Sequence, residues 1–275
     1  MFTLNCKGGL LVVDKPLVMG ILNVTPDSFY AGSRVGDEDV LRQAERMIND
    51  GAAILDIGGQ STRPGSERVP VEVELARVTG AIAAIHARFP DIPISIDTFQ
   101  ARVAAEAVAA GASIVNDVSA GSIDAAMIDT VAKLQVPYVL MHMKGTLDTL
   151  REEFVYEHIG LEVLDWFIHQ VALCRKAGIK DIILDPGFGF GKNSVQNLAL
   201  LKQLEVLNVL ERPVLVGLSR KRTIWKTLGV TADEALNGTT VINTISLLKG
   251  AHMLRVHDVR EAVEAVNLWQ AYQGA

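Results

Sequence analysis

Polar residues recur in this sequence at one kind of place, the carboxyl end of a short apolar run. Asn23 closes VMGILN, Asp56 stands in AAILD, Asp97 in IPISID, and Asn116 with Asp117 in ASIVND. His142 follows PYVLM, Asp185 ends DIILD, Ser219 and Lys221 follow PVLVGL, and Arg255 and His257 belong to HMLRVH. Taken singly, an Asp or Asn in such a position serves as well to cap a helix or brace a loop. Converging on one mouth, the set has chemistry available. Arg63, Arg255 and His257 with Asn23 suit an anion. The Asn23 carboxamide oxygen also suits Mg2+, which takes few protein ligands and the rest from water and phosphate. Asp97, Asn116 and Asp185 supply acceptors and one amide, a match for a flat heterocycle with several N–H groups. A lone His142 inside MHM reads as a packed strand-end histidine rather than a ligand.

The segment ILDPGFGFGK, residues 183–192, raises the question of a phosphate cradle. A P-loop has glycine five residues before its Gly-Lys pair and Ser or Thr after it; Pro186 and Asn193 stand there. The dinucleotide fingerprint has a glycine three residues after Gly189, where Lys192 stands. What remains is an apolar run ending in an aspartate, then a glycine-rich turn. No HExxH pair suggests zinc, no GxSxG elbow is present, and neither cysteine ends a strand, so covalent catalysis is not indicated.

The elements that must position these residues alternate from end to end. The apolar runs span 18–24, 52–58, 92–98, 112–118, 137–143, 181–187, 213–219 and 252–258. Each is rich in Val, Ile and Leu with little alternation, as strands buried on both faces require. Helical patterns lie between them: Gln100 to Ala110, alanine-rich and stopped by Gly111; Glu153 to Ala177, stopped by Gly178; and a last helix marked by Val259, Val263 and Val266. Eight such units in 275 residues indicate an α/β chain folded as a (β/α)8 TIM barrel, one domain over residues 1–275, with chemistry at the strand ends. The start, FTLNCKGGLLVVD, reads as a β-hairpin around Gly8-Gly9 that closes the barrel bottom.

Composition narrows the function. The chain is 49% hydrophobic and 21% charged, with a formal net charge of -6 and no basic cluster, which argues against nucleic acid as a partner. Its two cysteines form no CxxC pair, its start lacks a leader pattern, and no apolar stretch is long enough for a membrane span. A cytoplasmic enzyme without membrane attachment is expected.

The segments MGILNVTPDSF (19–29), DIGGQSTRPG (56–65), SIDT (95–98), NDVSAG (116–121), MHMKGT (141–146), DPGFGFGK (185–192), GLSRK (217–221) and RVHD (255–258) together resemble dihydropteroate synthase, the folate-pathway family targeted by sulfonamides. The resemblance runs through all eight units. It implies a TIM-barrel homodimer that joins 6-hydroxymethyl-7,8-dihydropterin diphosphate to 4-aminobenzoate, releasing pyrophosphate and 7,8-dihydropteroate, with Mg2+ as cofactor and sulfonamides as competitors. Carried over position by position, it implies a pterin pocket of Asp97, Asn116, Asp185, Lys221 and Arg255. It implies a diphosphate site of Thr62, Arg63, Arg255 and His257 with Asn23 as the magnesium ligand. The aminobenzoate pocket it implies is Thr62, Pro64, Phe190, Ser219 and Lys221. Asp97, Asp185, Lys221, Arg63 and Arg255 then carry the catalysis, and Asp56 and Asp117 read as structural. Three stretches depart from the family pattern: Arg222 stands where serine is familiar, Lys144 where glutamine is usual, and SFYAGS where SFSDGG is common.

The implied reaction is dissociative, with the departing pyrophosphate neutralised by cations and the pterin cation faced by carboxylates. Loops 24–36 and 59–70, long and glycine-containing, read as lids over the substrates. Two other functions remain open: a pterin-binding methyltransferase barrel and a non-catalytic pterin-binding paralogue. Arg63 and Lys221 weigh against methyl transfer, which needs no diphosphate site. The intact set of Asn23, Arg63, Asp97, Lys221 and Arg255 weighs against a silent paralogue.

Overall fold

The computed structural model describes residues 1–24, 34–60, 68–146, 149 and 154–275. Eight parallel strands form one sheet: β3 Leu17–Asn23, β4 Ile54–Gly58, β5 Ile94–Asp97, β6 Ile114–Asp117, β7 Tyr138–Met141, β8 Ile182–Asp185, β9 Leu215–Val216 and β10 Met253–Val256. Their spatial order is β8-β7-β6-β5-β4-β3-β10-β9. A parallel bridge between Leu184 and Val214 joins the two ends of that order, and the sheet closes into the expected barrel. The helices on its outside are α1 Arg34–Asn49, α2 Val71–Arg88, α3 Ala101–Ala110, α4 Met127–Leu134, α5 Ile159–Ala177, α6 Ser194–Lys202, α7 Arg222–Leu228, α8 Leu236–Leu248 and α9 Val259–Gln273, with a 3-10 helix at Leu204–Leu210. None of the described helices is long and apolar enough to cross a membrane.

Every barrel run forms its strand; β3 keeps seven residues, one position earlier than its run, and the other seven strands are shorter than the apolar pattern. The run at 213–219 contributes two ladder residues, because its remainder turns out of the barrel to form the loop that carries Ser219 and Lys221. Two α-helices, α7 and α8, follow that strand where a strict repeat has one. The pattern from Glu153 begins its helix only at Ile159. The Glu162 carboxylate accepts the backbone N–H groups of Glu157 and His158, at 2.7 and 3.1 Å, and so draws the chain before Ile159 into a cap rather than a helical turn.

Ahead of the barrel, β1 (Phe2–Cys6) pairs antiparallel with β2 (Gly9–Val13). The turn between them has Lys7 at φ 55° and Gly8 at φ 95°, the two successive positive values that suit the twist of a tight hairpin. Alternation along β1 turns Leu4 and Cys6 inward, and Val13 joins them from β2. These three share one buried cluster with Leu17, Met19, Ile54, Ile114, Val139, Ile183, Leu215 and Met253, the apolar lower lining of the barrel. Polar ties fix the plug in place: Asn5 N–H donates to Asp181 at 2.9 Å and Lys7 Nζ to the Val108 carbonyl at 2.6 Å. A second, larger cluster lies between the outer faces of the strands and the helices.

Candidate active site

Although β7 ends in Met141, which packs with Phe99, Val118 and Phe190, the upper barrel is polar, because six strands deliver Asn23, Asp56, Asp97, Asn116, Asp185 and Arg255 at or near their carboxyl ends. At its centre is Arg255 on β10. Its Nε donates to Asp56 Oδ2 and its Nη2 to Asp97 Oδ2, both at 2.6 Å, so one guanidinium joins carboxylates from two other strands. Burial works against that charge, yet Asp56 and Asp97 hold the Arg255 pKa above its ordinary value. Asn116 Nδ2 lies 3.2 Å from the same Asp56 oxygen. Asp56, read from the sequence as structural, is therefore fully buried within the site and holds two of its members. Asp117 does keep to structure: it accepts Ser119 N–H and Oγ–H, Gly121 N–H and the Tyr138 hydroxyl, each at 2.7 Å.

Asp97 has a different standing. Its Oδ1 is buried and finds no donor among the described residues. Burial pushes its pKa up to about 7; Arg255 opposes the shift, while Asp56, Glu74 and Asp117 add to it. Gly58 leaves room beside it, since a Cβ there would stand 3.6 Å from Asn23 Oδ1 and 3.8 Å from Asp97 Oδ2. Asn23 itself is exposed at the mouth.

On the opposite wall, Asp185 ends β8 and accepts Gly187 N–H at 2.8 Å. Burial raises its pKa, against the nearby Lys221, Arg255 and Lys192 cations. Lys221 caps α7, donates to the Phe188 carbonyl at 2.6 Å and lies 4.9 Å from the centroid of the Phe190 ring. Burial brings its pKa down to about 8, with Asp185 pulling the other way. Ser219 Oγ lies 3.1 Å from His257 Nδ1 and accepts His257 N–H at 3.2 Å, so residues assigned to two different substrate pockets touch each other.

The glycines of DPGFGFGK serve close packing. Gly187, Gly189 and Gly191 have φ of 68°, 84° and 63°, and a Cβ at Gly187 or Gly191 would overlap the His142 or the Lys144 carbonyl oxygen. His142 is the packed histidine expected, edge-on to Trp166 with centroids 5.0 Å apart. Lys144 braces its own loop: Nζ donates to the Val155 carbonyl at 2.8 Å, reaches Glu162 at 3.3 Å and lies 4.2 Å over the Tyr156 ring. Arg220 is likewise a brace, forked on Asp258 at 2.8 and 2.9 Å. Arg222 is exposed on α7. Thr62, Arg63 and Pro64 lie outside the described residues, as do 25–33 and 61–67, which make up most of the two loops read as lids.

One cluster went unread in the sequence. Glu74 on α2 is fully buried and accepts Gln60 Nε2 at 2.9 Å and Gln100 Nε2 at 2.6 Å, tying the ends of β4 and β5 together. Burial raises its pKa. The available signal was an acid standing next to Leu75 and four residues before Val78 on the apolar face of a helix.

Residues 19–257 match the family described as pterin binding enzyme. A dihydropteroate synthase of Escherichia coli K12 is 44% identical over 271 residues, covering 98% of this chain and 95% of that one. Among solved structures, Xanthomonas albilineans dihydropteroate synthase with 4-aminobenzoic acid superposes with a TM-score of 0.92 at 42% identity, covering 99% and 98% of the two chains. Yersinia pestis dihydropteroate synthase in a sulfonamide drug complex superposes with a TM-score of 0.94 at 39% identity, with both chains fully covered.

Proposed function

The chain belongs to the pterin-binding enzymes, as a dihydropteroate synthase, and on that premise we propose how its residues divide the reaction. The enzyme condenses 6-hydroxymethyl-7,8-dihydropterin diphosphate with 4-aminobenzoate, giving 7,8-dihydropteroate and pyrophosphate. Asp97, Asn116 and Asp185 receive the polar edge of the pterin, and Arg255 packs over its ring. The observation that carries this assignment is the buried Asp97 Oδ1, an acceptor lacking a donor where a ring N–H is needed. Asn23, Thr62, Arg63, Arg255 and His257 receive the diphosphate. Thr62, Pro64, Phe190, Ser219 and Lys221 hold 4-aminobenzoate, and sulfonamides compete there.

The methylene C–O bond of the pterin substrate breaks with its electron pair leaving on pyrophosphate. Positive charge spreads into the ring, where Asp97 and Asp185 face it. The neutral aniline nitrogen then forms the C–N bond and releases a proton to solvent, so no strong general base is required. Asn23 fits Mg2+: it is a hard neutral oxygen at an exposed position, where water and phosphate oxygens complete the shell. An ion held there would supply positive charge opposite the departing pyrophosphate.

We assign the working form to a homodimer. Supporting this are exposed apolar side chains on three successive helices: Val195 and Leu198 on α6, Leu228 on α7, and Val241, Ile245 and Leu248 on α8. Sedimentation of the wild type against Val241→Glu/Ile245→Glu tests it; a wild-type monomer sinks it. The cytoplasm is the proposed location, consistent with two buried cysteines that are both free. The direct test of the reaction is pyrophosphate release from the two substrates, measured with and without Mg2+. Pyrophosphate release that yields no 7,8-dihydropteroate with both substrates present would overturn the proposed division of labour, and turnover independent of Mg2+ would remove the metal from it.

A further inference from the structure

Lys192, the lysine that ends the glycine-rich segment, has no part in the reaction as divided above, yet it is only 7% exposed. Its Nζ lies 3.0 Å from the Gly187 carbonyl oxygen, 3.1 Å from that of Phe190, 3.3 Å from that of His142 and 2.9 Å from His142 Nδ1. Three carbonyl oxygens, joined by the imidazole Nδ1 in the tautomer protonated at Nε2, therefore surround a group that has three protons as an ammonium and two as an amine. The geometry suits the cation. His142 is its matching partner: burial first, and the Lys192 charge second, bring the imidazole pKa down to about 2, which leaves the ring neutral and able to accept at Nδ1. Burial also brings Lys192 down to about 7, and Asp185 is the charge that opposes the fall while Lys221 and Lys144 add to it.

The carbonyls that Lys192 holds belong to the peptides that shape the substrate side of the loop. Gly187 donates its N–H to Asp185 Oδ1 at 2.8 Å, and its carbonyl accepts Phe190 N–H at 3.1 Å as well as Lys192. Phe188 between them accepts Lys221 Nζ. One short loop is thus gripped by two lysines, Lys221 from the mouth and Lys192 from within. The loop needs such a grip, because three glycines at positive φ give it little conformational preference of its own.

We propose that Lys192 is a positioning residue for this reaction, an internal cation that, with neutral His142, preorganises the loop so that Asp185 and Phe190 meet the two substrates in place. The proposal rests on the assignment of Asp185 to the pterin and Phe190 to 4-aminobenzoate. It predicts that the cation, and not merely a side chain of the right size, sets turnover.

Three variants test it: Lys192→Met, which keeps the length and removes the donors; Lys192→Gln, which keeps donors without charge; and Lys192→Arg, which keeps the cation. Affinity for 6-hydroxymethylpterin by calorimetry, kcat, KM for each substrate and thermal midpoint are measured for each. In Lys192→Met, kcat is expected to fall at least about 30-fold and pterin affinity at least about tenfold. In Lys192→Arg, pterin affinity and kcat are expected to exceed those of Lys192→Gln. A Lys192→Met protein that melts lower but keeps kcat and pterin affinity within about twofold of wild type overturns the proposal and leaves the lysine a structural brace. If Lys192→Met does not fold, the order of the other two decides, and Lys192→Gln equal to or better than Lys192→Arg overturns it. Wild-type protein that binds no pterin would instead overturn the site assignment, a result that these variants do not produce.

Discussion

The two ends of the barrel are built from the same eight strands and treat burial in opposite ways. At the lower end, Leu4, Cys6 and Val13 of the hairpin fill the space between Met19, Ile54, Ile114, Val139, Ile183, Leu215 and Met253, with no charge inside the cluster. At the upper end, Asp56, Glu74, Asp97 and Asp185 are buried with Arg255, Lys221 and Lys192 nearby, and two carboxylate oxygens, Asp97 Oδ1 and Glu74 Oε1, have no donor among the described residues. Apolar burial at the bottom contributes stability at roughly 25 cal/mol per Å2. Charge burial at the top costs stability unless every group is matched, and the match there is incomplete until a ligand supplies the missing donors. An enzyme that separates these tasks can leave its substrate end strained and still fold.

The strongest challenge to this division is Arg255→Ala. It leaves Asp56 and Asp97 without their cation, so it should abolish turnover and also cost about 3–5 kcal/mol of stability, measured by denaturant unfolding. A variant inactive but fully stable would mean that the upper charges do not depend on one another. The counterpart at the other end is Leu4→Ala, expected to cost about 2–5 kcal/mol while kcat stays within about twofold. Lost activity in a folded Leu4→Ala protein would join the two ends energetically and dissolve the comparison.

Acid sharpens it. With the Asp97 pKa pushed up to about 7, against the ordinary 3.8 of the unfolded chain, the folded state holds a proton that the unfolded chain has released in between. Stability of the ligand-free enzyme should therefore fall as pH rises from about 4 through about 7, by at most about 1.4 kcal/mol per pH unit from this group. Asp97→Asn should flatten that slope, and an unchanged slope would assign it elsewhere. Asp185→Asn keeps an oxygen for Gly187 N–H but turns the other position into a donor, so pterin affinity should drop by about 1–3 kcal/mol; calorimetry showing no change removes Asp185 from the pterin pocket. The smallest effect belongs to the hairpin turn. Gly8→Ala meets no neighbouring atom within 4 Å, so only its φ of 95° is penalised, at about 1–2 kcal/mol, with turnover untouched.

Much of this arrangement was legible in the chain order. Runs such as SIVND and IILD are both strand and strand end, so the eightfold repeat, the barrel and the polar mouth follow from local pattern. The hairpin is legible as two short strands around Gly8-Gly9, but its turn sits one residue earlier, at Lys7-Gly8, because Gly9 already belongs to β2 and pairs with Cys6. Helix starts were less legible: nothing near Glu153 announces that Glu162, several residues on, will cap the helix at Ile159. The motif segments also contain the strand-end residues Asn23, Asp97, Asn116 and Asp185, while Thr62, Arg63 and Pro64 lie outside the described residues.

What the chain by itself determined is therefore the list of elements and the residues that each delivers to the mouth, because periodicity and turn chemistry act over a few neighbours. Which of those residues meet was decided by the tertiary structure alone. Asp56 and Arg255 are 199 positions apart and become an ion pair only when β10 closes against β3 beside β4. Glu74 becomes a strut for Gln60 and Gln100 only when α2 packs beneath the ends of β4 and β5. Lys192, which reads in sequence as the end of a phosphate loop, acquires its acceptors from a strand end 50 residues earlier and from carbonyls that its own loop folds back over it. Hydrogen bonding and desolvation depend on distance in space, and closure of the barrel sets those distances.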